Sequence, residues 1–168
     1  METLDGIARS FSEFAKLPEP VKKVNDINKL IKEVVFLYSE YEGVEFSLSL
    51  DNTIPEFSFD RDRLQEVLIN LIKNSIEAME ENGKINISTV LKESSEEKNV
   101  ELSLEDNGKG LTVNASLIFV PHFTTKEKGS GLGLAISKRI IEAHNGTIQA
   151  RSEPGKGTKF IITLPVEV

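Results

Sequence analysis

The sequence predicts an α/β protein, a two-layer sandwich of a mixed, largely antiparallel sheet with helices on one face, preceded by a short helical stub. Three observations carry this. Apolar residues recur at helical spacing in long segments, and they alternate with polar residues in short ones. Several alternating segments also follow one another directly, joined by turns rather than by helices. The strict strand–helix alternation of a doubly wound sheet is absent.

Residues 1–17 place Leu4, Ile7, Phe11 and Phe14 at spacings of 3, 4 and 3, an a/d seam. An isolated helix of this length is marginal in water, so the seam needs a partner, either its own domain or another helix. Leu17-Pro18-Glu19-Pro20 breaks it, which sets residues 1–20 apart as helix end and linker and 21–168 as the globular part. Residues 26–38 read as an amphipathic helix through Ile27, Leu30, Ile31, Val34, Val35 and Tyr38. Val44, Phe46, Leu48 and Leu50 alternate as a half-buried strand. A long helix is expected from Asp60, its cap, to Glu81, ending near Asn82-Gly83. Two strands follow, one through Ile85, Ile87 and Thr89 and one through Val100, Leu102 and Leu104, with Lys92–Lys98 as a solvated loop. After a glycine-rich irregular stretch come a helix from Gly133 to His144 and two closing strands, through Ile148 and Ala150 and through Phe160, Ile162 and Leu164.

The chain has 168 residues, 39% hydrophobic and 28% charged, enough to bury one core. Cysteine is absent, which excludes disulfide and thiolate chemistry, and two histidines make a zinc site improbable. No apolar run approaches a membrane span, and residues 1–10 carry acids with no apolar signal core. The net charge of −7 argues against nucleic acid and anionic membrane surfaces. Taken at face value it argues against phosphate-rich ligands too.

Five motifs oppose that last exclusion. On the long helix, Glu66, Asn70, Asn74 and Glu77 fall on one line beside the apolar stripe. It reads either as a solvent-facing stripe or as a source of neutral oxygen ligands for a Mg²⁺ that already carries phosphate. Glu105-Asp106-Asn107-Gly108-Lys109-Gly110 ends a strand, either as a plain turn or as an adenine-amine acceptor whose glycines admit a flat ring. Gly129-Ser130-Gly131-Leu132-Gly133 runs straight into a helix, whose free N–H groups can hold an anion without net positive charge. It is neither a GxxxxGK[ST] phosphate loop nor a dinucleotide fingerprint. Before it, residues 118–128 (IFVPHFTTKEK) have the composition of a mobile lid. Gly155-Lys156-Gly157-Thr158 is a hairpin turn whose Thr158 hydroxyl can point at a ligand.

Taken in order, NLIKNSIEAM, EDNGKG, PHFTTK, GSGLGLAISK and GKGTKF resemble the asparagine, first glycine, phenylalanine, second and third glycine boxes of the sensor histidine kinase catalytic domain. That domain has the Bergerat-type ATP-binding fold, shared with type II topoisomerases, the heat-shock chaperone Hsp-ninety and MutL. The likeness covers residues 44–165. The short PHFTTK lid and FSEFAKLPEP look most like nitrogen-regulation kinases of the NtrB and NtrY type.

The resemblance implies ATP and Mg²⁺ as cofactors. Asn74 would hold the cation between the phosphates, with Asn70 assisting. Asp106 would bind the adenine amine, with Gly108 and Gly110 shaping the pocket wall. Gly129, Gly131 and Gly133 would offer backbone N–H groups to the phosphates, with Leu132 between them. Thr125 and Lys126 would reach in from the lid, and Thr158 would support Asp106. The implied reaction moves the γ-phosphoryl to a histidine on a helical dimerisation domain, with the full-length protein a homodimer, a response regulator downstream and a cytoplasmic setting.

Two departures stand out. Glu77 takes the place of a basic residue that meets the γ-phosphate in many members, leaving Lys126 or Lys128 to neutralise it. No His-Glu acceptor motif occurs either; His122 is expected to pack in the lid and His144 to cap a helix end, favoured there by the dipole. In ATP-hydrolysing relatives a glutamate stands four residues before the metal-binding asparagine. Here that position is Asn70, which cannot take a proton at neutral pH. A kinase is therefore favoured over an ATPase, with a nucleotide-binding regulatory module as the alternative.

Overall fold

The structure, a computed structural model, describes residues 12, 17–80, 82–125 and 129–167. The seam residues Leu4, Ile7, Phe11 and Phe14, and Lys126 and Lys128, lie outside the described residues. The elements run β1 (Lys23–Asn25), α1 (Ile27–Phe36), β2 (Val44–Leu50), β3 (Phe57–Phe59), α2 (Arg61–Glu77), β4 (Gly83–Glu93), β5 (Lys98–Asp106), a 3₁₀ turn (Ala115–Phe119), α3 (Gly133–Ala143), β6 (Thr147–Glu153) and β7 (Gly157–Pro165). The main sheet has the order β2-β4-β5-β7-β6. Only β2 and β4 pair in parallel; the other neighbours are antiparallel.

The helices cover one face, as alternation dictates. Ile85 and Ile87 on β4, Val100, Leu102 and Leu104 on β5, and Phe160, Ile162 and Leu164 on β7 all point into the buried layer. Against them α2 sets Leu64, Val67, Leu68, Leu71 and Ile72, and α3 sets Ile140 and Ile141. The same parity carries Asp106, two residues beyond Leu104, onto the helix-facing side at the strand end.

Three expectations need correction. The loop at Lys92–Lys98 is shorter than its composition suggests, because β4 runs to Glu93 and β5 begins at Lys98, with the two paired. A polar sequence does not end a ladder that projects past the core into solvent. The long helix ends at Glu77 rather than Glu81; Ala78 caps it, and its carbonyl accepts from Lys109 N at 2.9 Å. Lastly, β1 and β3 form a second, two-stranded antiparallel sheet that the sequence reading lacked.

That small sheet is fastened on several sides. Val21 N donates to Asp60 Oδ2 at 2.8 Å, and Ser58 N donates to the main-chain carbonyl of Glu167 at 2.7 Å. The Glu167 carboxylate accepts from Lys22 Nζ and Asn145 Nδ2, both at 3.3 Å. Asp60 also caps α2 as expected, accepting from Arg63 N at 3.2 Å.

His144 is the C-cap of α3 and only 3% exposed. Its Nε2 accepts from Asp60 N at 3.0 Å, so Nδ1 carries the proton and donates to Ile140 O at 2.7 Å. The expected helix-end position is right, but the ring acts as a neutral bridge between α3 and α2 rather than as a cation on a dipole.

Candidate functional site

The carboxylate of Asp106 is 3% exposed. Its Oδ1 accepts from Gly108 N at 2.9 Å and Thr158 N at 3.2 Å, and its Oδ2 accepts from Ser75 Oγ at 2.8 Å. A carboxylate has about four acceptor sites, so one stays open on the Oδ2 side. Burial pushes the Asp106 pKa above its ordinary value, opposed by the hydrogen bonds from Gly108, Ser75 and Thr158.

Around this carboxylate the glycines serve close approach. A Cβ at Gly108 would come within 2.7 Å of Ala78 O, and one at Gly110 would strike Glu153 O. Gly157 has φ 93°, and a Cβ there would strike Asp106 O, so only glycine lets the β6–β7 turn pass over the strand end. Ser152 holds the same corner. Its hydroxyl donates to Gly157 O at 2.8 Å and accepts from Leu111 N at 2.8 Å. That commits its one proton, so Thr158 Oγ1 is the donor in their 2.9 Å contact. Thr158 thus supports Asp106 through its backbone N–H, while its hydroxyl is engaged with Ser152.

From Ser75 to Asn70 is five residues, about 7.5 Å along the helix axis. Here α2 meets the first turn of α3. Asn70 Nδ2 donates to Ser137 Oγ at 2.9 Å, and Asn74 Nδ2 donates to Asn70 O at 2.8 Å and Asn70 Oδ1 at 3.3 Å. A Cβ at Gly133 would come within 2.6 Å of Asn70 Oδ1, so this contact depends on glycine at the start of α3. Gly131 at φ 66° turns the chain into that helix. Beside the seam lies a groove of about 390 Å³, lined by Glu66, Ile69, Asn70, Lys73, Gly133 and Ser137 among others.

The start of the lid is pinned, since His122 N donates to Gly131 O at 2.9 Å. Here Phe123 packs against the core, whereas His122 is exposed and has φ 63°, so the expected packing role passes to its neighbour. Thr125 is exposed and Gly129 half-buried; Lys126 is undescribed.

The site therefore has an acceptor beside the C-terminal turn of α2 and amide groups at Asn74 and Asn70, the latter beside the start of α3. Among the described residues no group of three or more His, Cys, Asp or Glu could hold a metal. A divalent cation here would be held by the neutral oxygens of Asn70 and Asn74, with most of its ligands from phosphate and water. That donor set suits Mg²⁺.

The family model described as histidine kinase-, DNA gyrase B-, and HSP90-like ATPase matches residues 59–168. The chain belongs to that family. It is 37% identical over 171 residues to the sensor histidine kinase ZraS of Escherichia coli (strain K12), covering 98% of this chain and 36% of that protein. It is 34% identical to sporulation kinase E of Bacillus subtilis (strain 168), covering 99% of this chain and 23% of the kinase. The chain thus spans about a third of such relatives or less. Among solved structures, full-length ShkA in complex with AMPPNP aligns with a TM-score of 0.82 at 26% identity, over 96% of this chain and 36% of that one. The nucleotide-free catalytic domain of histidine kinase ThkA aligns with a TM-score of 0.73 at 36% identity, over 88% and 99%. The same kinase in complex with response regulator protein TrrA gives a TM-score of 0.75 at 32% identity, over 97% and 47%. This member of the ATPase family is homologous to the catalytic portion of sensor histidine kinases.

Ser75, Ser137 and Ser152 escaped the sequence reading. Ser75 had a visible signal: it falls at the core-facing spacing of Leu64, Leu68, Leu71 and Ile72, where a hydroxyl needs a partner. Ser137 had the same signal, at the core-facing spacing of Ile140 and Ile141, but its partner lies 67 residues away.

Proposed function

We propose that this chain is the ATP-binding catalytic domain of a two-component sensor kinase, moving the γ-phosphoryl of Mg-ATP to a histidine on a helical dimerisation domain. The observation that carries the reading is Asp106. It is a buried carboxylate with three donors already in place and one acceptor site left for an exocyclic amine. The triphosphate would run from there along α2 toward Asn74, Asn70 and the start of α3. The cation, when bound, would draw charge from the phosphate oxygens. Residues Asn70 and Asn74 would orient it, Gly131 and Gly133 would offer main-chain N–H groups, and Thr125 and Lys126 would close from the lid. Among the described residues, Lys73 is the cation that lines the groove beside Asn70.

Transfer needs no base from this domain. A neutral imidazole nitrogen attacks the γ-phosphorus, the bond to the β-phosphate oxygen breaks, and ADP leaves. The engagement of the Asn70 amide with Ser137 and Asn74 supports positioning rather than proton abstraction at that point. A response regulator downstream, a full-length homodimer, the NtrB/NtrY-type likeness of the lid and linker, and a cytoplasmic setting belong to the same proposal. No described helix is long and apolar enough to cross a membrane.

The test supplies Mg-ATP and a separately purified acceptor-helix domain from a related kinase. Phosphohistidine formation supports the reading. Nucleotide binding without transfer to any acceptor would favour a regulatory nucleotide module, which the exposed Glu77 on α2 also suits.

A further inference from the structure

Asn70 and Asn74 can serve a cation only through their carbonyl oxygens, because an amide nitrogen donates. The order of their hydrogen bonds is fixed from one end. The main-chain carbonyl of Asn70 only accepts, so the Asn74 side-chain atom 2.8 Å from it is the nitrogen. That nitrogen also lies 3.3 Å from Asn70 Oδ1, which keeps the oxygen of Asn70 on the Asn74 side and turns its nitrogen toward α3. There Asn70 Nδ2 meets Ser137 Oγ at 2.9 Å. Ser137 is 2% exposed, and Asn70 is half-buried at the wall of the groove. One turn earlier, Gly133 leaves room at Asn70 Oδ1 that a methyl group would take.

We propose that Ser137 is a positioning residue for the cation carried by the nucleotide: by accepting from Asn70 Nδ2 across the α2–α3 seam, it holds the Asn70 oxygen in line with Asn74. This rests on the cation role proposed for Asn70 and Asn74. Without the hydroxyl, the Asn70 nitrogen loses its acceptor on α3, and the amide turns to find another. The oxygen then leaves the line. The same seam couples the cation site to the start of α3 and so to the phosphate-facing N–H groups.

The experiment titrates Mg²⁺ into the full chain with ATP present and reads nucleotide affinity, with EDTA-treated ADP binding as the metal-free reference. In Ser137→Ala the Mg²⁺ midpoint should rise about tenfold, the scale on which groups that orient metal ligands act. Metal-free ADP affinity should stay within about twofold, and Ser137→Thr should restore the midpoint. The double variant Asn70→Ala/Ser137→Ala should be no worse than Asn70→Ala alone. A Ser137→Ala midpoint within about twofold of wild type, or single effects that multiply in the double variant, would overturn the inference while leaving the nucleotide site standing. Wild-type ATP binding that ignores Mg²⁺ would overturn both this inference and the cation role beneath it.

Discussion

In the proposed site, Asp106 concentrates the recognition of adenine in one side chain. Replacing it with Asn keeps the shape but puts an NH₂ group where an acceptor is needed. If the amide oxygen stays with the N–H groups of Gly108 and Thr158, the nitrogen faces the incoming amine, donor against donor. Asp106→Asn should therefore cost roughly 1.5–3 kcal/mol of ADP affinity, ten- to a hundredfold, by calorimetric titration. The raised pKa of Asp106 gives a second expectation. A folded-state value above the ordinary 3.8 means the folded protein takes up this proton more readily than the unfolded chain. As pH falls through that raised value, Asp106 becomes neutral and adenine recognition is lost. The contribution of Asp106 to stability grows over the same interval. ADP affinity should thus decline at a pH where far-ultraviolet circular dichroism is still native. At this scale the acceptor and the glycines were legible, because chemistry and turn residues sit together in EDNGKG. The donor from Ser75 was not, since it lies 31 residues from Asp106, and the Ser152–Thr158 pair was not, since it depends on the register of the β6–β7 hairpin.

Between elements, the proposed phosphate end depends on the seam of α2 and α3. Gly133→Ala presses a methyl group on Asn70 Oδ1, displacing that amide from its place beside Asn74 and Ser137. Weaker ATP binding is expected, by at least about tenfold, with ADP affected less because the seam lies at the far end of the triphosphate. At the opposite end of the seam, His144 joins the last turn of α3 to the first of α2. Its loss in His144→Ala strands Asp60 N and Ile140 O, costing about 1–3 kcal/mol in urea unfolding with little change in slope. The long elements were legible because their periodicity runs over many residues: α2 repeats its apolar stripe through four turns, and β4, β5 and β7 alternate for at least five residues each. At three residues apiece β1 and β3 are too short to carry such a signal. Where α2 stops was missed for another reason. Its end is set by the turn after β5, which takes the carbonyl of Ala78.

For the molecule as a whole, a net charge of −7 is compatible with the proposed triphosphate site because that site would rely on main-chain N–H groups, amides and an added cation rather than on surplus lysines and arginines. Ligand and cation should therefore stabilise the fold together. At Mg-ATP a hundredfold above its dissociation constant the gain is about 2.7 kcal/mol, a rise of roughly 5–10 °C in unfolding temperature, most of it removed by EDTA. The absence of an effect in differential scanning fluorimetry would count against the nucleotide site. The strand order was only partly legible. Hairpins link β4 to β5 and β6 to β7, but the parallel pairing of β2 with β4 is made across β3 and α2 and leaves no local trace.

The tail of the chain is a working part as well. Because Ser58 N bonds to the carbonyl of Glu167, and the carboxylate of Glu167 gathers Lys22 and Asn145, the last residues close the small sheet beneath the linker. An affinity tag fused rigidly to the C-terminus would pull on that clasp and loosen β1 and β3. A tag on a flexible spacer would leave it intact, so the choice of fusion end can alter what is measured about the linker.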